Sequence, residues 1–255
     1  MSFEPTISVS IMYAPWVDWR YENTERNKER LERDQFVEDV SLCPASEETT
    51  PWDTARNAWS KVLDIQDTTH HLLLQGDVEL CPDFGEVVYN MLRVLPNREI
   101  CLYGNRKDLV EAAQDGHRWF RYRGCYWGQG RVLPMFYVKD MLDFCEKYYD
   151  ESSVHDDVRY HAWGQIGRDT DTWIPIPQVV EHLGDEDSAM GNNTPVDLTA
   201  SLYVGDTDLE PSEIDWGKGI SEAPRRGGRN ALKLYEERLD LDRLIEDGYI
   251  RETSR

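Results

Sequence analysis

Lysine is scarce in this sequence. Seven lysines stand beside 21 arginines, and the 28 basic residues face 49 acidic ones. The formal charge of −21 gives a surface that repels nucleic-acid phosphates and anionic membranes, which excludes general affinity for either. High acidity with so little lysine suggests a high-salt host, where screening relieves self-repulsion. A GC-rich genome would favour arginine equally. Cysteine is sparse as well. Cys43, Cys81, Cys101, Cys125 and Cys145 are odd in number, widely spaced and without a C-x-x-C pair. This pattern reads as reduced, mostly buried thiols in a cytoplasmic protein. No stretch approaches the ~18 apolar residues of a membrane span. The opening MSFEPTISVS lacks a basic n-region and an apolar h-region, so no signal peptide is expected. No internal repeat is visible.

What is present is the material of a packed core. Hydrophobic residues make up 40% of the 255, with 9 Trp and 13 Tyr, too many for a disordered chain. The length suits one α/β domain, expected over residues 1–193, with a C-terminal extension over 194–255. ISVSIMY (7–13) reads as a buried first strand ended by Ala14-Pro15. A charged helix is expected over 23–33, and a second strand over 35–40. TARNAWSKVLDI (54–65) has helical apolar spacing. Strand 70–75 follows, then helix 84–95, strand 99–103 and helix 107–114. Strands are expected over 117–123 and 125–133, a helix over 138–149, and another after a Ser152 or Ser153 cap. An extended segment covers 173–180. A final amphipathic helix is expected over 232–245. Alternating strands and helices predict a mostly parallel sheet with helices on both faces. Ligands of such sheets bind at the carboxyl ends of the strands.

Asp77 and Glu79 stand at such an end, in HHLLLQGDVELCPDF. Two residues apart in an extended segment, they would point the same way and share one cation. Hard oxygen ligands suit magnesium or manganese, which also bind diphosphate oxygens. A metal there would neutralise the charge gained by a departing nucleoside diphosphate. D-x-E alone is a weak signal, equally at home in a solvated loop. His182, after the run PIPQVVEH, would add a nitrogen ligand, although a lone histidine is more often a packed or surface residue.

The ordered set ISVSIMYAP, TARNAW, LLLQGDVELCPDF, W-x-x-G, HDDVRYHAW and P-x-P-x-x-V-E-H resembles the GT-A glycosyltransferases, in particular small phage-type and lipopolysaccharide-type members. The resemblance spans roughly residues 7 to 193. It implies an α/β fold of the nucleotide-diphospho-sugar transferase type and transfer of a sugar from a nucleotide donor, with UDP-sugars favoured, to an acceptor hydroxyl. The acceptor would be a glycan, a protein or a modified nucleobase. The location would be cytoplasmic, the host cytoplasm if the source is viral. Tyr13 and Ala14 would line the base pocket, and Asp39 would also contact the base. Arg56 would approach the ribose or diphosphate. Asp77, Glu79 and His182 would hold Mn2+ or Mg2+. Trp127, Gly128 and Gln129 would border the sugar. Asp156 or Asp157 would deprotonate the acceptor, with Asp157 preferred. Related proteins often carry an acidic pair where this chain has Gly76-Asp77.

Other readings stand beside this one. Aspartates at a helix start favour the helix dipole by roughly 0.3–1 kcal/mol without any catalytic role. Gly76 suits a catalytically inactive sugar- or nucleotide-binding protein of the same fold, a virus-associated one among the alternatives. A nucleotidyltransferase would bring a Gly-rich basic loop after the first strand, and none follows Tyr13. The run RWFRYRGCYWGQGR (118–131) alternates aromatic and basic residues. It fits two half-buried strands better than base stacking, and Trp127 within it could stack a sugar ring. Arg225, Arg226 and Arg229 read as a solvated linker.

Overall fold

The computed structural model describes residues 3–124, 127–149, 155–168, 170–183, 199–227 and 230–251. The expected caps Ser152 and Ser153, together with Cys125 and Arg229, lie outside the described residues. In chain order the strands are β1 (Ile7–Tyr13), β2 (Val37–Pro44), β3 (His70–Gln75), β4 (Val78–Leu80), β5 (Ile100–Cys101), β6 (Trp119–Arg123), β7 (Gly130–Pro134), β8 (Asp171–Pro175), β9 (Val180–His182) and β10 (Arg225–Gly227). The helices are α1 (Asp18–Glu32), α2 (Pro51–Ser60), α3 (Phe84–Val94), α4 (Lys107–Gln114), α5 (Met135–Tyr148), α6 (Asp156–Ala162), α7 (Ala231–Tyr235) and α8 (Leu241–Glu246).

Eight strands form one sheet in the order β10-β6-β8-β5-β7-β3-β1-β2, and β4 pairs with β9 in a separate ribbon. The pairings β10·β6, β8·β5, β3·β1 and β1·β2 are parallel, while β7 runs against both neighbours and β6 against β8. Parallel pairing therefore predominates in this α/β sheet. Strand alternation sends side chains to two cores. Ile7, Val9, Ile11, Leu72 and Leu74 pack with Leu31 of α1 and Val87, Val88 and Met91 of α3. Leu73 joins Ala55, Ala58 and Trp59 of α2 and Val138 and Met141 of α5 on the other side. Ser8 and His71 share that second face, where Ser8 Oγ lies 2.8 Å from His71 Nδ1 and His71 Nε2 lies 3.1 Å from the Ala58 carbonyl.

Several boundaries differ from the sequence expectation, each for a local reason. α2 begins at Pro51 because Thr50 caps it, with Thr50 and Asp53 exchanging the two bonds of a capping box. α1 begins at Asp18, five residues before the expected start. The single terminal helix is in fact α7 and α8. Between them Leu239 bridges to Tyr149 and the Asp240 N–H donates to the Tyr148 carbonyl, so this backbone serves the end of α5 instead of a continuous helix. Arg225 and Arg226 are not a linker but the edge strand β10, paired with β6. Trp119 Nε1 donates to the Trp216 carbonyl at 2.7 Å, and the two indoles pack 5.6 Å apart. The chain beyond residue 199 is thereby anchored to the main sheet.

Candidate functional site

The site gathers where β1 and β3 end. Gly76 and Asp77 form the turn between β3 and β4, and α1 closes over it. Asn23 Nδ2 donates to the carbonyls of Gly76 and Val78, each at 2.9 Å, and Asn27 Nδ2 to that of Val78 at 2.9 Å. This close approach explains Gly76. A Cβ there would lie 2.5 Å from Thr24 Oγ1 and 2.6 Å from Tyr13 Cβ, distances that real contacts do not reach. The position has no room for an acidic side chain.

Asp77 is buried and its Oδ2 has two partners. Arg20 Nη2 stands 3.1 Å away and His182 Nε2 3.6 Å away. Burial works to raise the Asp77 pKa, but His182 and the Arg20 charge outweigh it and hold the carboxyl below its ordinary value. Asp77 Oδ1, His182 Nδ1 and Arg20 Nε are buried without a hydrogen-bond partner among the described residues. The Tyr103 ring lies 6.2 Å from that of His182. Beside the cluster a cavity of about 680 Å³ is lined by Trp19, Glu181, His182 and Ala200, among others.

Glu79 does not join them. Asp77 sits in the turn, and the extended run begins only at Val78, so the expected common direction of Asp77 and Glu79 does not arise. In the β4–β9 ribbon His182 stands opposite Val78, and Glu79 opposite Glu181. Directly opposed residues share a face and consecutive ones alternate, so His182 and Glu79 project to opposite faces. Glu79 is exposed. A divalent cation at Asp77 would also sit beside the Arg20 guanidinium, cation against cation. The residues do not fit the three-ligand metal site that the resemblance implies. Among the described residues no group of three His, Cys, Asp or Glu is arranged to hold a metal.

Asp156 approaches the same strand end from α6. A methyl placed on Gly128 would lie 2.9 Å from Gln75 Nε2 and 3.4 Å from Asp156 Oδ2. Asp156, Gly128 and Gln75 therefore meet just before the turn that carries Asp77. Asp156 is buried, and its Oδ2 has no hydrogen-bond partner among the described residues. Burial, helped by the neighbouring Asp157 charge, pushes its pKa up to about 7. Asp157 Oδ1 instead accepts the Val158 N–H at 2.8 Å. Of the two aspartates, Asp156 is the one turned to Gly128.

The remaining residues divide. Tyr13 and Ala14 close β1 beside Gly76, and Gln129 holds β3 through its carbonyl, which accepts the Gln75 N–H at 3.3 Å. Trp127 packs its ring on Tyr103 and Tyr122, 6.2 and 6.1 Å away, which leaves it half-buried. Asp39 is elsewhere. β2 runs on to Pro44, and Asp39 pairs with Ser8 while Pro44 pairs with Tyr13. Five residues at about 3.3 Å each put Asp39 roughly 16 Å back along the strand. Arg56 is exposed and paired with Glu146 at 3.3 Å. It lines a second cavity of about 530 Å³ with Trp52 and Arg159. Arg20, Gln75 and Tyr103 are the site residues the sequence reading missed. Arg20 lies between the turn expected at Ala14-Pro15 and the helix expected from residue 23, in the first turn of α1. The strand-then-helix order after Tyr13 was the signal that puts a first helical turn at the strand ends.

No family model matches this chain, and no curated protein matches it. Solved structures that it resembles include glycosyltransferases. One is a glycosyltransferase involved in glycosylation of the major capsid of PBCV-1, at 10% identity and a TM-score of 0.32, covering 56% of this chain and 68% of that one. Another is A197 from STIV, at 13% identity and a TM-score of 0.40, covering 71% and 87%. A third is a Drosophila β1,4-galactosyltransferase 7 variant in complex with manganese, UDP-Gal and xylobiose, at 10% identity and a TM-score of 0.38, covering 71% and 72%.

Proposed function

We propose that the protein transfers a sugar from a nucleoside-diphosphate donor to an acceptor hydroxyl. The observation that carries this reading is Asp156. It is a buried carboxyl with one unpaired oxygen, turned to Gln75 and Gly128 at the strand ends. A pKa pushed up to about 7 suits a general base working near neutrality. Its carboxylate takes the proton of the acceptor hydroxyl as the oxygen attacks the anomeric carbon. The bond from that carbon to the diphosphate oxygen breaks, and the nucleoside diphosphate leaves with the electron pair. The donor lies across the ends of β1 and β3, next to Tyr13, Ala14 and the Asp77 turn. The cavity of about 680 Å³ between Trp19 and His182 falls within the size range of small-ligand sites. UDP-sugars are the donors to try first.

Incubation of the full chain with UDP-, GDP- and dTDP-linked sugars, with simple glycosides as acceptors, tests the reading. Release of free nucleoside diphosphate together with a glycosylated acceptor is the expected result. Binding of the donors without release across the panel would leave a non-catalytic sugar- or nucleotide-binding protein instead.

A further inference from the structure

Asp77 carries the charge that a metal would need, yet that charge is already matched. Arg20 Nη2 and His182 Nε2 converge on one oxygen of Asp77, at 3.1 and 3.6 Å. The Arg20 and Asp77 side chains are 13% and 10% exposed. A cation entering at this oxygen would have to expel a guanidinium that has almost no solvent to receive it. Among the described residues Asp77 is the ion-pair partner of Arg20, and the guanidinium carbon also stands 5.3 Å from the centre of the Trp19 ring. Arg20 Nε is buried and has no hydrogen-bond partner among the described residues. A guanidinium is a planar fork of five N–H donors, so a carboxylate on one edge leaves another free for an oxyanion.

A second feature points to an anion at the same place. Arg20 lies in the first turn of α1, a helix of 15 residues whose N-terminus has no side-chain cap. The first N–H groups of a helix carry positive partial charge and bind phosphate groups well. The Arg20 and Tyr21 N–H groups both reach back to the Val17 carbonyl, which fixes this turn directly after β1. The unpaired Arg20 Nε, the uncapped turn and the Asp77–His182 pair thus surround the ends of β1 and β3. Asp18, in the same turn, is exposed.

We infer that Arg20, held in place by Asp77, is the cation that meets the diphosphate of the nucleotide donor, so that donor binding requires no divalent metal. This rests on the donor reading of the preceding subsection. Asp77 is then the counter-ion that orients Arg20, and Arg20 does the work that the resemblance assigns to manganese or magnesium. The geometry of Glu79 agrees, since the β4–β9 register turns it away from His182.

Calorimetric titration of the full chain with UDP and with GDP, in excess EDTA and again with manganese, tests this. The expected dissociation constant for at least one nucleotide is the same under both conditions within about twofold. Losing a charge-assisted hydrogen bond should weaken it about tenfold or more in Arg20→Ala, with Arg20→Lys in between because the fork is lost and the charge kept. Asp77→Asn separates the two roles of Asp77. The amide keeps an acceptor oxygen for the Arg20 fork, so loss of an orienting counter-ion weakens binding by the same few-fold in EDTA and in manganese, whereas loss of a metal ligand removes only binding that manganese had supported. Thermal unfolding identifies any variant that fails to fold, and the wild-type comparison with and without EDTA needs no variant. Binding seen only with manganese overturns the inference and spares the donor reading. Absence of nucleotide binding under either condition overturns both.

Discussion

Arg131 and Glu99 form an ion pair inside the sheet, each side chain 1% exposed. Glu99 Oε2 also accepts the Thr172 hydroxyl at 3.1 Å. Arg131 Nη2 donates to the Trp127 carbonyl at 3.0 Å, and its guanidinium carbon stands 4.6 Å from the centre of the Tyr160 ring. The pair thus ties the loop carrying Trp127 and Gly128 to α6, which carries Asp156. Removing one partner leaves a buried charge alone. Arg131→Met should cost about 3–5 kcal/mol in chemical unfolding. The double variant Arg131→Met/Glu99→Leu should recover much of that loss while weakening any transfer activity, because the carbonyl of Trp127 loses its anchor. A double variant as unstable as the single one would show that the pair is not the source of the cost.

An acidic side chain at Gly76, beside Asp77, should harm this chain. At Gly76 even a methyl would press on Thr24 Oγ1 and on Tyr13 Cβ, which belongs to the β1 end itself. Gly76→Asp should therefore destabilise by about 1–3 kcal/mol, the usual range for overpacking. Gly76→Ala should lose a similar amount. A measured loss for alanine near zero would mean that α1 yields readily at this turn.

His70 and His71 give the fold a sensitivity to acid. Burial lowers both pKa values to about 4, against partial relief from the Pro96 carbonyl at His70 and the Ala58 carbonyl at His71. Above about 6.5 both rings are neutral folded or unfolded, and their contribution is fully present. As pH falls below that value the unfolded chain takes up protons first, so stability declines down to about 4, by at most roughly 1.4 kcal/mol per unit for each ring. Asp156, whose pKa is raised, acts in the opposite direction over much of this window. His71→Gln should flatten the decline in denaturant titrations run from pH 7 to 4, and an unchanged slope would remove His71 as a cause.

The strand ends were legible because buried strands announce themselves. ISVSIMY is β1 to the residue, and the α4 span 107–114 likewise. Apolar density and a turn signal sufficed there. Edges governed by side chains far away in sequence were not legible. The end of β2 depends on pairing with β1 as far as Tyr13 and Pro44, and misplacing it misplaced Asp39. The ribbon of β4 and β9 joins residues about a hundred positions apart. Nothing local in G-D-V-E says that Val78 will face His182 and Glu79 will not. The same holds for Asp156 and Asp157, adjacent and chemically identical, which only the packing of α6 against Gly128 tells apart. Arg20 was hidden because α1 has few apolar residues to mark its first turn.

Asp156 ties activity to stability with opposite signs. As a base it must be ionised, so kcat/KM should rise with pH through about 7, the value to which burial and the Asp157 charge push it. In the folded chain that ionisation is unfavourable. Below about 4 the carboxyl is neutral folded or unfolded and has no effect on stability. Between about 4 and 7 the unfolded chain ionises first and stability falls, and above 7 the full penalty is in place, at roughly 1.4 kcal/mol per unit of pKa displacement. Asp156→Asn should then raise Tm at pH 8 and leave it nearly unchanged at pH 4, while lowering transfer by about 10²–10⁴-fold, the usual contribution of a general base. Asp157→Asn should do neither to the same extent, because that side chain is committed to the Val158 N–H. Loss of activity in Asp157→Asn with Asp156→Asn still active would reverse the assignment and make Asp157 the base.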